Sequence, residues 1–126
     1  MTELALEKIL WVRPEAIAAS GTLPVHAEFF GDHFPRFPVL PGVLALEILK
    51  RTAERYFEMS GEPGARLRLR SLRSVKFSNY LKPGDSWESE MKLIAADGPE
   101  SDWEGRLFHE GRAAVSARMV LGADGG

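Results

Sequence analysis

Asp32-His33-Phe34-Pro35-Arg36-Phe37-Pro38-Val39-Leu40-Pro41-Gly42-Val43-Leu44-Ala45-Leu46-Glu47 leads from a stiff loop into an apolar helix, and its reading decides the fold. Pro35, Pro38 and Pro41 fix φ and remove backbone donors, so the loop presents His33 in a set direction. Beyond Gly42 the run is apolar, and Glu47 is the only charge between Arg36 and Lys50. A base on a rigid loop and an acid on an apolar helix are the groups that proton-transfer chemistry needs. Each also has a plain structural reading. A proline-rich loop is a common helix entry, and a lone histidine is more often a surface or core residue than a catalyst. An unpaired acid among apolar neighbours is harder to dismiss, because burying it is costly.

Working outward, the helix runs from Pro41 to Ser60 and stops at Gly61. Its first half is apolar all round apart from Glu47. In its second half Lys50, Arg51, Glu54, Arg55 and Glu58 alternate with a stripe of Ala53, Tyr56 and Phe57. A helix half that is apolar on every side must be enclosed by other elements. Ile9-Leu10-Trp11-Val12 reads as a short strand, residues 21–24 as a turn, and Val25-His26-Ala27-Glu28-Phe29-Phe30 as a half-buried strand by its alternation. After Pro63-Gly64 the period becomes two: Arg66, Arg68 and Arg70 alternate with Leu67 and Leu69. The phase then slips near Ser71-Leu72 and resumes at Val75 and Phe77, the mark of a β-bulge. Leu81-Lys82-Pro83-Gly84-Asp85 is a turn, and three further strands run from Trp87 to Ala96, Trp103 to His109 and Ala113 to Leu121. The expected class is α+β: an antiparallel sheet wrapped around one long helix.

Length and composition bound the function. The 126 residues fit one domain, with the N-terminal residues and the tail 122–126 frayed. A net charge of −2 without a long basic run argues against nucleic-acid binding. The absence of cysteine excludes disulfides, thiol nucleophiles and Cys-based zinc sites. His26, His33 and His109 form no ligand pair at helical spacing, so no metal is expected. No signal peptide or membrane-spanning segment is legible, which makes the cytoplasm the expected compartment.

The order of elements and the motif within it resemble the hot-dog fold of 3-hydroxyacyl-acyl-carrier-protein dehydratases. The resemblance covers Ile9 to Leu121. It rests on His33-Phe34-Pro35, Pro38, Pro41-Gly42-Val43 and Glu47, with the acid fourteen positions after the histidine. Val75-Lys76-Phe77 followed by Lys82-Pro83-Gly84-Asp85 is a second match.

The resemblance implies a (3R)-3-hydroxyacyl thioester substrate on the phosphopantetheine arm of an acyl carrier protein, and no cofactor. It implies that neutral His33 takes the α-proton, oriented by the Val39 carbonyl. Glu47, kept protonated by apolar surroundings, gives a proton to the leaving hydroxyl, and Gly42 offers its N–H to the thioester oxygen. The Gly42 role has support of its own: no Ser, Thr, Asn or Asp caps the helix start, so its first N–H groups lack side-chain partners. Phe37, Leu46 and Pro41 are the expected acyl-contact residues, and Arg66, Arg68, Arg70, Lys76 and Lys82 the expected docking surface for an acidic carrier. The family's active site lies between subunits, which implies a homodimer or a multiple of one. This sequence departs from the family at Asp32, at Arg36-Phe37, and at Arg51, where a glutamine is common; a salt bridge from Arg51 to Glu47 would weaken the acid. The rival readings are a hot-dog thioesterase and a non-catalytic acyl-thioester-binding subunit.

Overall fold

The computed structural model describes residues 6–24, 39–62 and 65–123. Along the chain these form β1 (Lys8–Arg13), β2 (Ala16–Thr22), α1 (Gly42–Met59), β3 (Leu67–Phe77), β4 (Ser86–Asp97), β5 (Glu100–His109) and β6 (Arg112–Ala123). The strands make one sheet in the order β1-β2-β4-β5-β6-β3, every neighbouring pair antiparallel.

Period-two patterning sets the faces. On β4, Trp87, Ser89 and Met91 are buried while Glu88, Glu90 and Lys92 are exposed; on β5, Ser101, Trp103, Gly105 and Leu107 are buried. These inner positions pack on Ala45, Ile48, Leu49 and Ala53 of α1. Gly105 lies close under the helix: a Cβ built there would lie 3.1 Å from Leu49 Cδ1 and 2.6 Å from Met91 Sδ. The rings of Tyr56, Phe57 and Trp103 meet edge-on, with centroids 5.5 to 5.9 Å apart. Two buried hydroxyls cross the layer: Thr52 Oγ1 donates to the Ile48 carbonyl at 2.9 Å and lies 2.7 Å from Ser89 Oγ.

The helix matches expectation to within a residue at each end. Gly61 takes φ +104, and the N–H groups of Gly61 and Glu62 bond the carbonyls of Glu58 and Phe57, a Schellman end. The enclosure expected of its first half is incomplete: Ala45, Leu46, Ile48 and Leu49 are buried, but Val43 is 74% exposed.

Two expectations change. Ala16–Thr22 forms β2, where the sequence pattern predicts no strand and a turn from Gly21. Its alanines favour helix as isolated residues, but here they fill a central position between β1 and β4, with Ala18 and Ala19 buried. Gly21 lies under the Trp87 indole, which leaves no room for a side chain. The strand expected at Val25 to Phe30 lies outside the described residues. At the other end β6 continues past Leu121; buried Gly122 pairs with Arg68 and Glu100, so the chain is ordered there rather than frayed.

The phase slip in β3 is real and doubled. Register shifts fall between Leu69 and Ser71 and between Arg73 and Lys76, with Ser74 at φ 50. Each extra residue restores the phase, so Leu67, Leu69, Leu72 and Phe77 stay opposite the inward Ala123, Leu121, Met119 and Val115 of β6. Arg68, Arg73 and Lys76 stay on the outer face opposite Gly122, Arg118 and Ser116.

Candidate active site

The helix start is anchored through the backbone. Leu40 N–H donates to the Leu81 carbonyl at 2.8 Å, and both residues are buried. Pro41 is the N-cap and gives no side-chain bond; its carbonyl accepts from Leu44 N–H and Ala45 N–H at 3.0 and 3.2 Å. The N–H groups of Gly42 and Val43 have no acceptor among the described residues, and the first turn carries no acid. Among the described residues nothing offsets the partial positive charge of the helix end.

A cavity of about 180 Å³ opens beside this turn, lined by Leu40, Gly42, Ala45, Phe77, Asn79, Tyr80, Leu81 and Val115. Leu40, Leu81 and Val115 form a buried floor, while Phe77 and Tyr80 are 47% and 70% exposed at the rim. Phe77 lies against Gly42: a Cβ on Gly42 would be 2.8 Å from its Cζ. A polar hollow of about 550 Å³ adjoins the cavity through Asn79 and Tyr80 and is otherwise lined by Lys82, Asp85, His109, Glu110 and Arg112. His109 Nδ1 is 2.6 Å from the Ser86 carbonyl, which can only accept, so Nδ1 carries the proton. Lys82 heads the turn into β4: its N–H donates to Asp85 Oδ2 at 2.8 Å, and Gly84 sits at φ 83.

Glu47 is placed differently from expectation. It does not line the cavity. Five residues beyond Gly42, it projects about 140° away around the helix. Its surroundings are not apolar either: Oε2 is 2.9 Å from Arg51 Nε, Oε1 is 3.4 Å from Lys50 Nζ, and the side chain is 29% exposed. The apolar enclosure read from the sequence is thus replaced by an ion-paired cluster one turn wide. The buried acid of this helix is Glu54. Its Oε2 accepts from Leu67 N–H at 2.8 Å and ties α1 to the start of β3.

His33 and Phe37 lie outside the described residues. Val39 is half-buried and Pro41 is the helix cap; neither it nor buried Leu46 lines the cavity. The rim residues Phe77 and Tyr80 were not singled out as contacts. Their signal was the Val75-Lys76-Phe77 signature, but the inward setting of Phe77 depends on the second bulge. The expected basic surface divides. Lys82 borders the polar hollow and Lys76 adjoins Phe77. Arg66 lies about 36 Å of extended strand from Phe77, and Arg68 and Arg70 are near that far end. On the outer face Arg118 holds Asp102 through Nε and Nη2 at 2.9 and 3.0 Å. The hydrogen bond from Arg118 keeps the Asp102 carboxyl below the usual carboxylate range.

Residues 12–116 match the profile of the ApeI-like family, described as ApeI dehydratase. The chain belongs to that family. It is 31% identical over 120 residues to the 3-hydroxyacyl-[acyl-carrier-protein] dehydratase FabZ of Streptococcus sanguinis, covering 94% of this chain and 85% of that protein; the FabZ of Streptococcus suis matches equally. Among solved structures, the dehydratase heterocomplex ApeI:P from Xenorhabdus doucetiae superposes with a TM-score of 0.77 at 18% identity, over 98% of this chain and 85% of that one. A point mutant of the fluoroacetyl-CoA-specific thioesterase FlK gives 0.70 at 15% identity, over 86% and 84%. The fold is the hot-dog fold. Dehydratases and thioesterases share it, so the fold alone does not choose between them. Among the described residues no helix is long and apolar enough to cross a membrane.

Proposed function

We propose that this dehydratase-family chain converts (3R)-3-hydroxyacyl thioesters on acyl carrier protein into trans-2-enoyl thioesters, in fatty-acid or related acyl or polyketide synthesis. The observation that carries the reading is the uncapped helix start at Gly42 opening on an apolar cavity. Free N–H groups there meet the oxygen on which negative charge develops, and the cavity takes the adjoining acyl carbons. His33 removes the proton from C2. The electron pair forms the C2–C3 double bond, the C3–O bond breaks, and Glu47 supplies the proton that lets the hydroxyl leave as water. The Val39 carbonyl orients His33. Donation from Glu47 needs its carboxyl free of Arg51 Nε, so the ion pair is a resting arrangement that substrate displaces.

Because Glu47 projects away from the cavity bordered by its own Gly42, the acid serves a site shared with a second hot-dog subunit. That subunit covers β3 and the exposed Val43. The carrier docks at the mouth of the cavity, where Lys76 and Lys82 lie, and working on carrier-bound intermediates places the enzyme in the cytoplasm.

One observation favours a second reading. A carboxylate held by Arg51 and Lys50 also suits a base that activates water, as hydrolysis requires. Incubation with a crotonyl thioester of pantetheine separates the two. Loss of the conjugated enoyl absorbance without release of thiol is hydration, the dehydratase reaction in reverse, and thiol release is hydrolysis. His33→Ala and Glu47→Ala should each lower the hydration rate about 10²- to 10⁴-fold in folded protein. A His33→Ala enzyme within threefold of wild type would overturn the assignment.

A further inference from the structure

The cavity beside Gly42 has a fixed depth. Its inner wall is made by Leu40, Ala45, Leu81 and Val115, all buried. Backbone hydrogen bonds hold that wall from two sides. Leu40 N–H reaches the Leu81 carbonyl at 2.8 Å, and Ser78 N–H reaches the Ala114 carbonyl, next to Val115, at 2.8 Å. Close-packed side chains on a backbone tied to α1 and β6 do not retreat to admit a longer guest. Past Asn79 and Tyr80 the surroundings change, because Lys82, Asp85, His109 and Arg112 line the adjoining hollow. Methylenes pushed into that hollow gain little apolar contact and strip water from charged groups.

We propose that this cavity measures the acyl chain: the substrate is a medium-chain 3-hydroxyacyl thioester with at most about six carbons beyond C3, and the Leu81 side chain sets the limit. The proposal rests on the reading that the cavity takes the acyl carbons next to the thioester. An apolar cavity of about 150 Å³ accommodates a six-carbon ligand. The cavity here, of about 180 Å³, therefore takes C4 to about C9 when C1 to C3 stand at the helix start. Carbons further along meet the wall or the charged hollow. Leu81 is the lever that lengthens the cavity, since its side chain can be cut back while its carbonyl keeps Leu40 N–H. Ala45 is the opposite lever: it is the smallest of the four wall side chains, and enlarging it fills the space. A second subunit over β3 leaves the wall unchanged, because these four residues are already buried in the single chain.

The experiment measures kcat/KM for hydration of trans-2-enoyl pantetheine thioesters of four, six, eight, ten and twelve carbons. The proteins are wild type, Leu81→Ala, Leu81→Val and Ala45→Val, each checked for folding by thermal melting. Wild type should gain about three- to fourfold per added methylene up to eight carbons and nothing from ten to twelve. Leu81→Ala frees room for about three carbons, so its rise should continue through twelve. Leu81→Val is the milder cut; it should carry the full gain to ten, and it supplies the test if Leu81→Ala does not fold. Ala45→Val adds two carbons to the wall and should end the rise at six. A wild-type rise unbroken through twelve carbons, or a break that no folded variant moves, would overturn the proposal and leave the dehydratase reading standing. If wild type hydrates a thioester of no length, the dehydratase reading falls and this proposal with it.

Discussion

Replacing Gly42 with alanine tests whether the helix start is the thioester-oxygen site. The new Cβ would lie 2.8 Å from Phe77 Cζ and 3.0 Å from its Cε1, whereas relaxed carbon contacts lie near 3.5 Å or beyond, so the ring must retreat by about 0.7 Å. The ring is half-exposed on an edge strand and can swing toward solvent, and alanine is the better helix residue by up to about 1 kcal/mol. Stability should therefore change by less than about 1 kcal/mol, with Tm within about 5 °C of wild type. Activity should respond far more strongly. The methyl group occupies space beside the free N–H groups, and losing one oxyanion donor costs about 10²- to 10³-fold. The assay is crotonyl-thioester hydration followed as kcat/KM alongside a thermal melt. A folded Gly42→Ala protein with an unchanged rate refutes the placement. Recovery of the rate in Gly42→Ala/Phe77→Ala would also refute it, because the loss would then come from the displaced ring rather than from a blocked amide.

Three other outcomes are expected. Glu54→Ala should destabilise the fold by about 1 to 3 kcal/mol in urea melts, because Leu67 N–H loses its buried acceptor, while kcat of the remaining folded protein stays unchanged. The folded-state pKa of Asp102 lies below its unfolded value, so its stabilising contribution is present above the unfolded carboxylate range near 3.9 and is lost as pH falls toward the folded value. Melts of wild type and Asp102→Asn should accordingly differ at pH 7 and converge in strong acid. Charge reversal at Lys76 and Lys82 should raise KM for a carrier-bound substrate, more so at low salt, and spare a small pantetheine thioester; equal losses on both would assign these lysines to the fold or the cavity.

The long helix, its glycine stop and the hairpin order of β4 to β6 were legible because each rests on local pattern. Three features were not, and each depends on contacts distant in sequence. Ala16–Thr22 is a strand only because β1 and β4 flank it, a condition that its alanines do not encode. The β3 slip could be read, but counting two bulges, and so finding Phe77 inward beside Gly42, requires the β6 register. For Glu47 the isolation from charge along the chain misled, since Lys50 and Arg51 lie one turn on and fold back over it. The spacing of Arg51 to Glu47 does carry that signal as an i, i+4 pair, at a position where the sequence departs from the family.

The Thr52 and Ser89 hydroxyls give the helix an angular index. An apolar helix on an apolar sheet can turn by a fraction of a residue and find another arrangement of nearly equal energy, because the hydrophobic effect has no direction. The sealed Ser89 hydroxyl meets Thr52 in a single rotation, and another setting strands Ser89, although Thr52 keeps the Ile48 carbonyl of its own helix. Their worth therefore lies in eliminating near-degenerate packings more than in adding stability. That rotation turns Gly42 toward Phe77 and Glu47 to the opposite side, so an interaction deep in the core aims both groups of the proposed site. A Thr52→Val/Ser89→Ala protein can keep its melting temperature and still lose the sharp dispersion of its side-chain NMR signals. In such a protein catalysis would fade through blurred aim rather than through a missing group.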